Sequence, residues 1–355
     1  MSRRYAGAGV DVRKVRATHS SIGRLVRETY RFRAGRFAEV QGRFGHYASL
    51  INIGYGKALA LHADGCGTKV LVAQLMNRFD TIGIDCVAMN VNDLICMGAE
   101  PVALIDYLAV ERIDGKMIDE IMKGLVKGAE LAGVAITGGE TAVMPDVIKG
   151  AVEGKGFDLA ALSVGTVDLD RIVSGDKMKV GNIVVGFESS GVHSNGLTLA
   201  RKVLFKEAGL KVFDRPEGFD RTIGEELLTP TRIYVKEVLE ALSNVEVHAV
   251  AHITGGGYSK LNRFRNYAKV GFQLDAMPKP QKIFRLIQRL GKIPVKEMYQ
   301  TFNMGVGMCL VTLPEFSDEV ISIAEKHGSR AFSIGKICRG SGVRIKIAGT
   351  KTFSI

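Results

Sequence analysis

Apolar positions recur along this chain at two periods, and the period changes at glycines. Lys57–Ala63 is a short apolar run fit for a buried strand, and it ends in Asp64-Gly-Cys-Gly-Thr-Lys69. Ile84, Val87, Val91 and Leu94 recur at helical spacing and predict a helix over about 81–97. Gly98 is placed to end it, and Pro101 bars continuation. Val102–Val110 reads as a strand, 117–132 as an amphipathic helix, and 134–137 as a strand running into Gly138-Gly-Glu-Thr141. Residues 158–167 close a β-α-β-α-β-β unit, and Asp168–Gly175 is the expected boundary. Two domains are therefore expected, 1–167 and 168–355, each long enough for its own core.

In the second half a strand over 182–187 leads into the polar loop Glu188–Gly196 and a helix carrying Leu199, Val203 and Leu204. Leu228–Lys236 reads as the opening of another helix, with Pro230 at its start. Val245–His252 alternates like a strand; His248 and His252 share its face but sit well apart, so a metal pair is not expected there. Met308–Thr312 is an apolar strand, followed by a helix over about 315–328 and strands near 331–338 and 342–347. Upstream, Tyr5–Asp11 and Gly42–Gly45 read as loops, with a short helix from Ile22 to Val26 and onward. Both halves are α+β by this pattern.

Composition narrows the class. Hydrophobic residues at 46% and charged residues at 24% are ordinary for a globular protein. No apolar run approaches the ~18 residues of a membrane span, and no apolar segment follows Met1-Ser-Arg-Arg-Tyr5 as a secretory signal requires. The five cysteines lack C-x-x-C spacing, which points to reduced thiols in a cytoplasm and away from a zinc ribbon. The net charge of +11 is concentrated early: residues 1–40 hold ten Lys and Arg against Asp11, Glu28 and Glu39. With only Tyr30, Phe32 and Phe37 near them for base stacking, attraction of an anionic small molecule is favoured over nucleic acid.

The candidate chemistry sits where strands meet glycines. A strand running into Gly65-x-Gly67 exposes backbone N–H groups to an anion; beside it, Lys69 offers a point charge for phosphate and Asp64 an oxygen for Mg2+. The alternative is a tight turn with a surface salt bridge. Asp85 and Asn92 are two turns apart and share a helix face, flanked by Asn90 and Asp93. So many short polar groups on an apolar helix need partners, either a ligand or solvent. Asp106 at mid-strand shares a face with Leu104 and Leu108 and needs a metal or a lysine. Ser189, Ser190, His193 and Asn195 lie in a strand-to-helix loop of the kind that holds an anion.

Nine segments in order resemble the aminoimidazole ribonucleotide synthetase (phosphoribosylformylglycinamidine cyclo-ligase) family over nearly the whole chain. They are Tyr5…Ala8–Asp11, Asp64–Lys69, Asp80–Asp85, Val91–Leu94 with Gly98–Pro101, Gly138–Ala142 with Met144-Pro145, Ser189–Gly196, Leu227–Lys236, His252–Gly257 and Thr301–Met308. Some are shared with a wider ATP-using superfamily that includes thiamine-monophosphate kinase and selenophosphate synthetase. Departures are the thinner glycine segment Gly42-Arg-Phe-Gly45-His46, Leu197 in place of an aromatic, and Cys66 in place of a small aliphatic.

The resemblance implies an N-terminal domain that binds ATP and forms a barrel across a homodimer, and a C-terminal α/β domain. It implies conversion of formylglycinamidine ribonucleotide and ATP into aminoimidazole ribonucleotide, ADP and phosphate, in the cytoplasm, with no nucleic acid or membrane partner. Lys69, Asp93 and His193 are then expected to be catalytic. Asp64, Asp93 and Asp106 are expected near Mg2+. ATP is expected on Asp64, Gly65, Gly67, Thr68, Lys69, Asp85, Asn92 and Glu140, and the substrate on Lys14, Ser189, Ser190, His193 and Asn195. A sister phosphotransferase and a basic nucleic-acid-binding protein are the alternatives.

Overall fold

The computed structural model describes residues 12–347 and 349–355, the side chains of 12–17 excepted. The loop expected over Tyr5–Asp11 lies outside the described residues. The short helix expected around Ile22–Val26 is longer, α1 (Val12–Arg27).

Two sheets carry the chain. The first has the order β1-β2-β3-β6-β4-β5, with β1 (Glu39–Gln41), β2 (Ser49–Gly54), β3 (Lys57–Gly65), β4 (Glu100–Val110), β5 (Ala135–Val143) and β6 (Phe157–Asp168). The expected β-α-β-α-β-β unit is present, with the β1–β2 ribbon added ahead of it. That ribbon pairs antiparallel (Val40 opposite Ile51) and is too short to announce itself by periodicity. β5 was expected to stop at Thr137, but it runs on through Gly138 and Gly139 to Val143 because β4 pairs with it in parallel along that length.

Helices α2 (Val70–Met76), α3 (Ile82–Ile95) and α4 (Gly115–Ala132) cover one face of this sheet. Every residue of α3 but Ile84 is buried. It packs on β3, β6 and β4, on α4, and on elements of the second half. Its contact with α4 is close because Gly83 has no side chain: a Cβ there would lie 2.0 Å from the backbone nitrogen of Leu125.

The second sheet has the order β13-β12-β9-β11-β7-β10-β8, with β7 (Ile183–Glu188), β8 (Val247–His252), β9 (Val270–Leu274), β10 (Val306–Thr312), β11 (Ala331–Arg339), β12 (Gly342–Ile345) and β13 (Phe353–Ser354). Among the described residues of this sheet only β9 and β12 pair in parallel, so the half that the resemblance implied to be α/β is built on a mostly antiparallel sheet. Its strands β7 and β8 are buried over most of their length, as strands covered on both faces are in either arrangement. Helices α5 (Leu197–Arg201), α6 (Ile223–Leu228), α7 (Val235–Asn244), α8 (Lys282–Gly291), α9 (Val295–Thr301) and α10 (Ser317–Lys326) complete it. The helix expected to open at Pro230 does not. α6 ends at Leu228, Thr229–Tyr234 is an irregular strap, and α7 starts at Val235. The strap's backbone groups are taken by side chains of the first half, which competes with helical bonding.

A single apolar core continues through both halves, from Leu50 and Val91 to Val250 and Leu310. The Gly42–His46 segment is a loop, as expected, and it is seated on the second half. Arg43 Nη1 donates to the Asn266 carbonyl (3.0 Å), Arg263 Nη1 donates to the His46 carbonyl (3.1 Å), and the Arg263 guanidinium lies 4.6 Å from the centre of the Tyr47 ring. His46 accepts from the Tyr47 N–H through Nδ1 (2.9 Å) and faces the Ser174 carbonyl through Nε2 (3.2 Å). Burial pushes its imidazole down to about 4, against the Ser174 carbonyl, which favours the proton.

The unfolded chain therefore binds a proton at His46 more readily than the folded one, and stability falls as pH drops from about 6.5 to 4, by about 3 kcal/mol at most. Denaturant unfolding across that range should show a shallower fall in His46→Gln than in the wild type; equal slopes would refute the assignment.

Candidate active site

α3 presents polar groups in two directions. Asp85 and Asn92 face the strap. Lys69 Nζ lies 2.9 Å from Asp85 Oδ1 and 2.8 Å from Oδ2, and also donates to the Thr229 carbonyl (2.6 Å). Asp85 Oδ1 accepts from the Thr231 N–H (2.7 Å) and hydroxyl (2.6 Å). Asn92 donates to the Arg232 carbonyl (2.8 Å) and accepts from the Tyr234 N–H (3.0 Å). Lys69 and Asp85 are fully buried, so each requires the other. The expected demand for partners on this helix face is met here by the strap's main chain. The Lys69 ammonium is spent on it.

Asn90 and Asp93 face the end of β3. Asn90 clamps the Asp64 main chain, donating to its carbonyl (3.0 Å) and accepting from its N–H (3.2 Å). Asp93 stands between two histidines: His252 Nδ1 lies 2.8 Å from one oxygen, and His62 Nε2 lies 3.6 Å from the other and 4.0 Å from Asp64. Burial alone would raise the Asp93 carboxyl, but the His252 hydrogen bond and the His62 and Lys260 charges hold it below the usual carboxylate range. Asp64 is raised, first by burial and further by the charge of Asp93, against the Gly65 N–H that it accepts (2.7 Å). The two carboxylates thus form an acidic pair with Asp93 ionised, beside the Lys260 ammonium.

The loop Glu188–Gly196 comes up to the turn after β3, where a Cβ at Gly67 would lie 3.7 Å from the Ser194 carbonyl oxygen. His193 is buried with a positive φ of 63°, and its Nε2 accepts from the Ser190 N–H (3.2 Å). Burial keeps it neutral well below its ordinary value, so Nδ1 carries the proton. Gly307 permits this: a Cβ there would lie 2.7 Å from His193 Cε1 and 2.1 Å from the Tyr234 hydroxyl. His193 Nδ1 and His252 Nε2 are buried and have no hydrogen-bond partner among the described residues. Two orphaned ring nitrogens at one loop and strand end are places for ligand groups. Asn195 Oδ1 reaches the turn at Gly255.

The other expected site residues are placed as follows. Gly65 ends β3, Gly67 takes a positive φ of 59°, and the Thr68 hydroxyl meets that of Thr198 (3.1 Å). Ser189 Oγ donates to Asn303 (2.9 Å), and Ser190 Oγ donates to the Pro230 carbonyl (2.6 Å). Asp106 lies level with Asp64, each opposite Ala161 of the strand between them, so both project from the helix-covered face about 10 Å apart. Burial raises the Asp106 carboxyl. Glu140 pairs with Tyr107, one residue on from Asp106, and so belongs to the opposite face. Lys14 lies in α1, its side chain outside those described. Among the described residues no three acidic, histidine or cysteine side chains form a ready metal shell.

Periodicity gave no warning of His62, His252 or Lys260 at this site. His252 showed only as an alternating strand residue, and Lys260 follows three glycines with no local pattern of its own. Their partners are remote in sequence, so only tertiary structure joins them.

This architecture is shared. A thiamine-monophosphate kinase from Stenotrophomonas maltophilia K279a superposes with a TM-score of 0.62 at 19% identity, covering 90% of this chain and 94% of that one. T. maritima PurL complexed with ATP gives 0.57 at 17% identity, covering 87% of this chain and 45% of that one. The family model for the AIR synthase related protein N-terminal domain matches residues 45–167, and the C-terminal domain model matches 179–348. Relatives from Methanothermobacter thermautotrophicus (47% identical, 99% of each chain) and Thermococcus gammatolerans (49% identical, 98% of this chain and 99% of that one) are phosphoribosylformylglycinamidine cyclo-ligases, and this chain belongs to that family.

Asp85→Ala should destabilise the protein by about 3–5 kcal/mol, the cost of leaving a buried ammonium unpaired. Chemical denaturation of Asp85→Ala, Lys69→Met and the double variant checks it: the double loss should be well below the sum of the singles, and additive losses would show the pair is uncoupled.

Proposed function

We propose that this chain is an ATP-dependent cyclo-ligase that closes the imidazole ring of aminoimidazole ribonucleotide from formylglycinamidine ribonucleotide. The observation that carries this is the acidic pair Asp64–Asp93, held by Asn90 and two histidines, in a chain 47–49% identical to cyclo-ligases over nearly its full length. The formamide carbonyl is a poor electrophile. The γ-phosphorus bonds to its oxygen as its bond to the ADP oxygen breaks. The amidine nitrogen then attacks the activated carbon, the C–N bond forms, phosphate leaves with the C–O electrons, and the nitrogen loses a proton. The protein's part is positioning and charge stabilisation.

In this reading Asp64 and Asp93 hold Mg2+. Two carboxylates suit that ion, which takes its remaining ligands from water and nucleotide phosphates, so an incomplete protein shell is no obstacle. The metal would draw the phosphate charge off the transferred group. Asp106, level with Asp64 on the same face, serves phosphates or a second ion farther along. His252 fixes Asp93 through Nδ1. His193 Nδ1–H, Asn195 and the 188–196 backbone bind oxyanions of substrate or phosphoryl group, joined by Lys14 from α1. Gly65, Gly67 and Thr68 shape the turn against the nucleotide. Ser189 and Ser190 hold the loop in shape through Asn303 and Pro230. Lys69, Asp85 and Asn92 act on this site indirectly by fixing the strap.

Residues 1–167 would also dimerise. The uncovered face of the first sheet carries Val102, Ile105, Tyr107 and Leu162, each between 38% and 45% exposed, a contiguous apolar patch fit for a second copy and a barrel between subunits. Glu140 on that face is then an interface residue. Residues 168–355 supply the loop, the strap and His252. Purine synthesis in the cytoplasm is the matching setting, and no described helix is long and apolar enough to cross a membrane.

Purified protein with formylglycinamidine ribonucleotide, Mg2+ and ATP should release ADP and aminoimidazole ribonucleotide in equal amounts; ADP without the imidazole would move the reading to a sister phosphotransferase. Asp93→Asn should lower kcat by at least about 10-fold, and His252→Gln similarly. Light scattering of Tyr107→Glu should show monomers where the wild type is dimeric; an unchanged mass would place any dimer contact elsewhere.

A further inference from the structure

β3 carries two polar side chains on one face, Asp64 and, two residues earlier, His62. Ala58 and Ala60, farther along the same face, are fully buried. One oxygen of each carboxylate in the acidic pair is already engaged inside the protein: Asp64 Oδ1 accepts from the Gly65 N–H (2.7 Å), and Asp93 Oδ1 faces His252 Nδ1 (2.8 Å). The other oxygen of each turns to a single atom. His62 Nε2 lies 3.6 Å from Asp93 Oδ2 and 4.0 Å from Asp64 Oδ2. That nitrogen is buried and has no hydrogen-bond partner among the described residues, while the Asp64 side chain is 44% exposed and leaves the place open to solvent.

Both distances are longer than a hydrogen bond, so neither carboxylate satisfies the ring nitrogen. An imidazolium placed to bridge the pair would have donated to one of them. The spacing fits a different occupant. Ligand atoms on a six-coordinate ion at about 2.1 Å stand about 3 Å apart when adjacent and about 4 Å apart when opposite. Without an ion the three atoms are spread somewhat wide of a closed shell, and a cation between them would draw the ring inward.

We infer that His62 is a third ligand, through Nε2, to the divalent cation on Asp64 and Asp93, and that it tilts the site from Mg2+ toward first-row transition ions such as Mn2+. This rests on reading Asp64 and Asp93 as the metal carboxylates. The ring binds neutral, with its proton on Nδ1. Oxygen ligands suit Mg2+, which keeps much of its water, whereas an imidazole nitrogen adds more to the binding of a transition ion. Losing the nitrogen therefore costs Mn2+ more than Mg2+.

The test is Mn2+ titration of wild type, His62→Gln and Asp93→Asn with ADP present, followed by electron paramagnetic resonance. Pulsed spectra read nitrogen coupling to the bound ion, and Mg2+ affinity comes from competition. Wild type is expected to bind Mn2+ with a directly coupled nitrogen. His62→Gln should lose that coupling and bind Mn2+ at least about 10-fold more weakly, with Mg2+ affinity within about threefold. Three results would overturn the inference while leaving the carboxylates in place, provided Asp93→Asn loses Mn2+. One is bound Mn2+ in wild type with no nitrogen coupling, a result that needs no variant to fold. Another is a coupling that persists in His62→Gln, which would assign it to a different nitrogen. The third is an unchanged Mn2+ affinity in His62→Gln. If wild type binds no Mn2+, or Asp93→Asn binds it as wild type does, the site reading itself fails and this inference with it.

Discussion

The buried pair between Lys69 and Asp85 is the constraint on which the arrangement of the two halves depends. Neither charge can be solvated where it stands, and neither is satisfied by the other alone. The remaining bonds come from the strap at Thr229 and Thr231, so the first half is electrostatically complete only when the second is docked on it. Asn92 extends the same fastening to Arg232 and Tyr234. An apolar core continuous through both halves supplies the bulk of the adhesion, and these bonds supply its register.

Register matters because the chemistry is split between the halves. Asp64 and Asp93 belong to the first sheet and its central helix, while His252, Lys260 and the His193 loop belong to the second. The 2.8 Å bond from His252 to Asp93 crosses that boundary, and so does the packing of Cys96 against Met308 one turn farther along the helix. A helix that uses one face to fasten and an adjacent face to react couples docking to geometry at the acidic pair.

Much of this was legible in the sequence and some was not. The strands into Asp64 and Asp106, the polar helix 82–95 and the loop 188–196 stood out because period and glycine placement are local signals. The need for partners on Asp85 and Asn92 was also legible, but their identity was not: main-chain atoms of a strap leave no trace in residue type. Pro230 looked like a helix start because the proline signal is the same for a helix and for an extended strap. Glu140 read like Asp64, a carboxylate beside glycines at a strand end, yet the parallel register with Tyr107 turns it to the other face of the sheet. His62, His252 and Lys260 were missed because their roles come from neighbours remote in the chain.

Lys69, Asp85 and Asn92 hold the strap almost wholly by its backbone: a carbonyl at Thr229, an N–H at Thr231, a carbonyl at Arg232 and an N–H at Tyr234, with the Thr231 hydroxyl as the exception. Recognition of that kind is indifferent to most of the side chains it passes over. The strap's own side chains are held separately, Arg232 Nη2 on the His327 carbonyl (3.2 Å) and the buried Tyr234 hydroxyl on the Glu188 carbonyl (2.9 Å). A change at Arg232 or Tyr234 would therefore disturb the second half's own packing before it loosened the joint between the halves.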